Sequence, residues 1–384
     1  MPHQDTIFAT LLKAVPRHRF DGLVERHGAD RRVRTLSCWT QFVALVYAQL
    51  AGAQSLREIE AALASHGNLL YHLGAQPVRR STLSDANRLR PVGLYVELFD
   101  LLLGRLQANR AARELVRLVD ATSLRLSETL HSWASFCAGY AGAKLHVVYD
   151  PQADCPTFFA ITPAKINDIV IAKAMPIEAG TTYVFDLGYC CFAWWAKLDA
   201  AGCRFVTRLK TTSPVRVLAQ RPADGRIIRS DRIVRLNDRM ARHRKNPCDS
   251  PLREIVVAVD SQRCLRLVTN DLDAPATDIA ELYKQRWQIE LFFRWVKQNL
   301  KIKRFLGTSE NAVRLQIIVA LIAYLLIRLA HHWPRLPLSL QGLARLLRAN
   351  LMHRKPFAWL LAPPPVPPHS NSQQLTLAFA HAKA

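Results

Sequence analysis

The chain has 384 residues, half of them apolar, with 52 Lys and Arg against 30 Asp and Glu and a formal charge of +22. That length holds two or three domains with proper cores, and the apolar share excludes disorder as the default state. The charge calls for a polyanionic partner, because a basic field speeds encounter and each neutralised phosphate adds salt-dependent affinity; nucleic acid comes first and a membrane surface is the alternative.

Residues 1–36 are basic and mixed, with Arg17, Arg19, Arg31, Arg32 and Arg34 close together. From Trp39 the pattern turns helical: CWTQFVALVYAQLAG sets Phe42, Val43, Val46 and Leu50 on one side and stops at Gly52. SLREIEAAL follows, with Ser55 as N-cap and Glu58 three residues on, the capping-box spacing. In RRSTLSDANRLRP, Ser81 is expected to cap a short helix that carries Arg88 and Arg90 and stops before Pro91. Three short helices ending in a basic one resemble a helix-turn-helix, whose last helix enters the major groove. A small helical domain with a solvated basic face is the alternative. Residues 92–106 read as a further amphipathic helix, and 109–113 close this region.

From Leu115 the period changes. LVRLV reads as a short strand ending at Asp120, residues 144–149 and 156–162 as the next two strands, and 165–174 as a helix. An apolar strand over 182–185 ends at Asp186-Leu-Gly; 192–201 is helical and 203–209 a strand. These elements suit a mixed sheet covered by helices, an α/β fold. Both aspartates stand where an apolar strand runs out, which by itself also suits a turn former or a cap.

Residues 211–273 interrupt the pattern. From Phe205 to Cys248 there are 12 Lys and Arg against 3 Asp, a local balance of 12 − 3 = +9, and the stretch ends in a hairpin around Asp260-Ser261. This reads as an inserted β-rich module with a basic surface; a solvated loop is the alternative. Thr277 or Asp278 is expected to cap the next helix, with Glu281 completing the box for Asp278.

Residues 281–304, ELYKQRWQIELFFRWVKQNLKIKR, read as one helix. At about 100° per residue, Tyr283, Arg286, Glu290 and Lys297 share a stripe about 60° wide. Leu282, Ile289, Phe293, Val296 and Leu300 form a separate apolar arc, so the polar stripe edges the buried face. A solvated Arg286–Glu290 pair is the plainer reading of that spacing.

The apolar stretch 312–330 approaches the length of a membrane span, but Arg314, Gln316 and Arg328 interrupt it and a buried helix is expected. Residues 338–350 read as a basic amphipathic helix, and PPPVPP with the following HSNSQQ as a flexible tail. The eight cysteines include no CxxC pair and no secretory leader precedes them, which suits reduced, mostly buried thiols of a cytosolic protein. There is no internal repeat, glycine-rich phosphate loop or HxxxH motif.

Asp120, Asp186 and Glu290 can meet if two strands end beside the helix. Three carboxylates at one spot repel unless a cation sits among them, and hard oxygen donors suit Mg²⁺ or Mn²⁺. Two such ions can activate a water or a 3′-hydroxyl and stabilise the leaving oxygen of a displacement at phosphorus. Arg286 and Lys297 can then hold neighbouring phosphates, with Tyr283 donating a hydrogen bond to the same backbone.

The pattern Tyr283-x2-Arg286-x3-Glu290-x6-Lys297 resembles the Tyr-Arg-Glu-Lys signature of DDE transposases of bacterial insertion sequences, in the insertion-sequence-four family. VDATSLRL around Asp120, FDLGYCCFAWWAKLDAAGCRFVTRLK from Asp186, GTSENAVRLQI after the signature and QFVALVYAQLAGAQSLREIEAAL near the start extend the likeness over residues 10–360. The resemblance implies an RNase H-like catalytic domain at 111–335 with its insertion at about 211–273, a helical DNA-binding region at 1–110 and a tail at 336–384. It also implies metal-dependent cleavage at the element's ends, joining to target DNA and a homodimer in the synaptic complex. The setting would be the bacterial cytoplasm at the nucleoid, and related enzymes excise through a DNA hairpin with a flipped base. A DNA-binding protein whose acidic trio is inert, and an RNase H-like nuclease that cuts without joining, are the other readings. Leu187 departs from the arginine many relatives carry after the second Asp, and Cys190-Cys191 is a second departure.

Overall fold

The computed structural model describes residues 4–108, 115–126, 131–137, 140–237, 246–260, 262–300, 305–331 and 338–360. Six helices come first: α1 (Ile7–Leu12), α2 (Arg17–Arg26), α3 (Cys38–Ala51), α4 (Leu56–Ser65), α5 (Arg80–Leu89) and α6 (Gly93–Gln107). α3 is buried almost throughout and ends at Gly52, whose φ of 77° lies in the left-handed region that glycine enters without a Cβ penalty. The capping box expected for α4 forms in a shifted version, with Glu58 reaching the residue before the N-cap. Ser55 Oγ accepts from Glu58 N at 3.1 Å, and Glu58 Oε2 reaches back to Gln54 N at 2.6 Å.

α5 departs from expectation twice. Arg79 stands at its N-cap with no side-chain cap, and Ser81 lies inside the helix, exposed. Arg90 turns inward at 7% exposure, donating to Gln41 Oε1 at 2.8 Å and to the Leu36 carbonyl. A buried guanidinium is tolerable there because these acceptors, with Asp30 at 3.5 Å, surround it.

The middle of the chain builds one sheet. Its members are β1 (Val116–Leu126), β2 (Ser135–Cys137), β3 (Tyr140–Asp150), β4 (Cys155–Pro163), β5 (Thr182–Phe185), β6 (Arg204–Arg208), β7 (Val215–Arg221), β8 (Ile228–Leu236), β9 (Leu252–Ala258) and β10 (Cys264–Thr269). The helices between them are α7 (His131–Ala134), α8 (Asp168–Ala174) and α9 (Phe192–Ala200). The order is β2-β3-β1-β5-β6-β10-β9-β8-β7, with β4 also on β3. β1, β5 and β6 are parallel, and the other pairings are antiparallel. The segment expected as a separate insertion therefore continues the main sheet, because β10 pairs directly with β6. Its most basic part, 238–245, lies outside the described residues, as do 109–113, 301–304 and the tail from 361.

β1 does not stop at Asp120. Antiparallel β3 keeps pairing with it as far as Leu126 opposite Ala141, whereas parallel β5 ends at Phe185 opposite Val119. Asp120 thus marks the point where β1 loses one neighbour and keeps the other.

Alternation along the strands sends side chains into two cores. Leu118, Val184, Val206 and Leu267 face the larger one, with α6, α11 and α12; Val119, Phe185, Phe205 and Val268 face the smaller, with Trp194, Trp195 and Leu198 of α9. On the larger side, α10 (Ala276–Gln285) and α11 (Trp287–Asn299) replace the single helix expected over 281–304. They part at Arg286, where Arg286 N bonds Tyr283 O at 3.1 Å and Ile289 N bonds Arg286 O at 3.3 Å, the tighter spacing of a 3₁₀ turn. The N-cap of α10 is Pro275 without a side-chain cap; Thr277 and Asp278 lie within the helix, bonded to each other at 3.2 Å.

α12 (Glu310–His331) is long and apolar enough to cross a membrane, with a mean hydropathy of 2.1, yet 89% of that window is buried by the rest of the chain. It packs on α3, α5, α6 and then on α13 (Leu340–Asn350), whose N-cap Ser339 accepts from Gly342 N. Cys38, Cys155, Cys203 and Cys248 are buried free thiols, Cys190 and Cys191 are half-buried, and Cys264 is exposed.

Candidate active site

Asp120 follows Val119 in β1, and Asp186 follows Phe185 in β5, so the pairing of Val119 with Phe185 sets the two carboxylates side by side. Both share the parity of Leu118 and Val184, which points them to the face where α10 and α11 lie. Asp186 caps a single 3₁₀ turn over Leu187–Tyr189: its Oδ1 accepts from Gly188 N at 2.8 Å, and its carbonyl accepts from Thr207 Oγ1 at 3.1 Å. A Cβ at Gly188 would stand 3.0 Å from Asp186 Oδ1, tighter than an ordinary contact, so any larger residue there would press on that carboxylate.

Glu290 comes from the first turn of α11, where Arg286 Nη1 holds its Oε1 at 2.6 Å. Asp120 Oδ1 accepts the amide of Ala121 at 2.8 Å. Burial first pushes the Asp120 carboxyl up to about 6; the Ala121 amide and Arg286 pull it down, and Asp186 and Glu290 add to the rise. The three acids and Arg286 therefore lie within electrostatic reach of one another. Arg286 is desolvated, which alone lowers its pKa, but Tyr283, Glu290 and Asp120 more than offset this and hold it above the ordinary value. Its Nε is buried without a hydrogen-bond partner among the described residues.

Tyr283 is 7% exposed, deeper than the stripe edge expected for it, and lies with its ring centroid 5.7 Å from the Arg286 guanidinium. Burial raises its phenol pKa, against the pull of Arg286 and Arg208. Lys297 sits seven residues beyond Glu290 on α11, about 10 Å along the axis. The structure thus gathers Asp120, Asp186, Glu290 and Arg286, with Tyr283 against Arg286 and Lys297 two turns farther along α11.

Among the described residues, no three His, Cys, Asp or Glu side chains are closed around a common point as a preformed metal cage. Each carboxylate has one oxygen engaged: Asp120 on Ala121 N, Asp186 on Gly188 N and Glu290 on Arg286. The second oxygens remain as hard donors, and the mutual repulsion at Asp120 is what a divalent cation relieves, so the donor set fits such an ion. The sequence reading missed Arg208. It follows an apolar strand as Asp186 does, but its significance depends on how β6 is registered against β5.

Residues 111–326 match the family described as the transposase DDE domain, and residues 3–76 match a domain of unknown function, DUF4372. The chain is 42% identical over 293 residues to the putative transposase y4zB of Sinorhizobium fredii, covering 74% of this chain and 81% of that one. It is 30% identical over 256 residues to the probable transposase for insertion sequence element IS5377 of Geobacillus stearothermophilus, covering 65% and 66% respectively. A cryo-EM structure of the piggyBac transposase synaptic complex with hairpin DNA aligns with a TM-score of 0.45 at 9% identity, over 93% of this chain and 80% of that one.

Proposed function

The chain belongs to the transposase family built on the DDE domain, a DNA-cleaving and strand-transferring enzyme class, and from that premise we propose that Asp120, Asp186 and Glu290 form its cutting centre. The observation that carries this reading is the convergence of two adjacent strand positions and the first turn of α11, with Arg286, on one face of the sheet. The order β4-β3-β1-β5-β6, with β1, β5 and β6 parallel, supports an RNase H-like core at 111–335, extended by the meander of 211–273.

A bound pair of Mg²⁺ or Mn²⁺ ions would be held by the three carboxylates and would supply an activated hydroxyl and stabilisation of the leaving oxygen. Arg286 orients Glu290 through the 2.6 Å contact, and its guanidinium offers positive charge to a phosphate laid on the three acids. Tyr283 supports the guanidinium from below and keeps water from that side. Lys297, farther along α11, serves a phosphate beyond the cut.

The helical region of residues 1–110 is proposed to hold double-stranded DNA at the inverted repeats of the element. Its support lies around α5: Arg31, Arg32 and Arg34 line a cleft of about 380 Å³ along one flank, Arg57 and Arg80 line one of about 550 Å³ along the other. The exposed Ser81, Asp85 and Arg88 stand on the ridge between. A helix flanked by two basic clefts suits a major groove with one phosphate backbone on each side. The protein would act as a homodimer bridging both ends, at the bacterial nucleoid.

Asp120→Asn, Asp186→Asn and Glu290→Gln are each expected to abolish strand cleavage in a Mg²⁺ or Mn²⁺ nicking assay while DNA binding persists. Equal loss of binding and cleavage, or no cleavage by the wild type at any metal concentration, would count against the cutting centre. Joined products from pre-cut ends separate transfer from simple nuclease action.

A further inference from the structure

A fifth charged side chain reaches the same cleft through strand register. β6 runs beside β5 with Thr182 opposite Arg204, Tyr183 opposite Phe205 and Val184 opposite Val206. Two residues further on, Arg208 stands beside Asp186 as Asp186 stands beside Asp120. Leu118, Val184 and Val206 all face the larger core, so Asp120, Asp186 and Arg208, each two residues beyond one of them, point to that same side. Tyr283 lies within electrostatic reach of Arg208, Arg286 and Asp186 together, which places Arg208 at the cleft from the α10 side as well.

Arg208 is held in position but left chemically unspent. Thr207 Oγ1 ties its strand to the Asp186 carbonyl at 3.1 Å, and Arg266 Nη1 donates to Lys210 O at 2.8 Å and Ser213 O at 2.7 Å, fixing the loop that leaves β6. Arg232 and Arg266 pair with Glu254, and Arg253 with Asp231, on the neighbouring strands. Among the described residues, no carboxylate pairs with half-buried Arg208. A partly desolvated guanidinium without an anion is costly, and a phosphate bonded by its planar fork offsets that cost.

We propose that Arg208 binds a phosphate flanking the scissile one, on the DNA strand laid across Asp120 and Asp186. With strands about 4.8 Å apart, Arg208 stands about 10 Å from Asp120, a reach that suits a flanking phosphate and not the reacting one. The row of acid, acid and arginine across β1, β5 and β6 gives the cleft a direction and so fixes the polarity of the bound strand. The inference rests on the cutting centre proposed above.

The test uses the full chain and duplexes carrying one neutral methylphosphonate at a time near the cut. Arg208→Ala is expected to cleave roughly 10- to 100-fold more slowly, as for a lost charge-assisted contact. The slope of log affinity against log salt should fall by about one unit, and Arg208→Lys should restore the slope but only part of the rate. At one flanking position, the methylphosphonate should slow the wild type by a similar factor and slow Arg208→Ala no further. An unchanged salt slope in Arg208→Ala, or defects that multiply with the methylphosphonate at every position, would overturn the assignment. The slope is measured without metal, so it decides on Arg208 even if the wild type fails to cut; that failure would bear on the cutting centre instead.

Discussion

Asp120 and His146 lie on paired strands, with Val147 opposite Asp120 and His146 opposite Ala121, and burial moves their protons in opposite directions. Burial lowers His146 from 6.5 to about 4; Asp168 opposes this and Lys144 adds to it, while Nε2 meets Thr162 Oγ1 at 2.8 Å and Nδ1 has no hydrogen bond among the described residues. Its share of stability is whole above pH 6.5 and is lost as pH falls toward about 4. Asp120 is raised from 3.8 to about 6, so its share is whole below 3.8 and is lost as pH rises through about 6. The two trends oppose each other in one window and mask each other in the wild type. Relative to wild type, His146→Asn is expected to gain on the order of 2–3 kcal/mol between pH 6.5 and 4, read by urea unfolding in metal-free buffer. A variant that tracks the wild type across that range would show that His146 is not buried neutral. Asp120 and Asp186 could be placed from the sequence at the ends of apolar runs, which alone also suits a turn or a cap, and only the spacing of Tyr283, Arg286 and Glu290 singled them out as a trio. Arg90 was not: its inward turn depends on Gln41 and the Leu36 carbonyl, some fifty residues away.

Elements whose ends are set locally were read well. Ser55 and Glu58 needed only each other, and Gly52 only its own backbone freedom. Elements ended by a partner were not: β1 continues past Asp120 because β3 continues, and α10 yields to α11 at Arg286 although periodicity runs smoothly through it. The same limit hid Arg208, whose neighbour is chosen by the pairing of β6 with β5. Around α5, the exposed arginines of the 31–34 loop are held at a fixed distance, since Arg90 grips Leu36 O and Asp30 accepts from Cys38 N at 2.8 Å. Replacing Arg31, Arg32 and Arg34 by Ala should therefore weaken binding to all duplex sequences alike and reduce the salt slope by two to three units, about 0.9 for each lost phosphate contact. Salt-titrated anisotropy with specific and scrambled duplexes checks this. Loss confined to the specific duplex would assign the loop to base reading instead.

At the scale of the whole chain, the sequence suggested a helical region, a catalytic domain and an insertion as separate blocks, yet two shared elements join them. α12 packs on α3, α5 and α6 as well as on β4 and α11, and β10 makes the meander part of the main sheet. Composition could foresee that α12 is buried, but not that both halves use it. Thermal unfolding should accordingly show a single transition by far-UV circular dichroism and by tryptophan fluorescence, with coincident midpoints. Two well-separated midpoints would mean that the halves fold independently. Asn311, at the start of α12, donates to the carbonyls of Asn87 and Arg90 at 2.9 and 2.8 Å, pinning the end of α5 to the beam that runs alongside α11. A duplex gripped at α5 would thus be presented to Glu290 by a rigid ruler and not by a tether, so the number of base pairs between the sequence that is read and the bond that is cut would be metered by the protein's own skeleton.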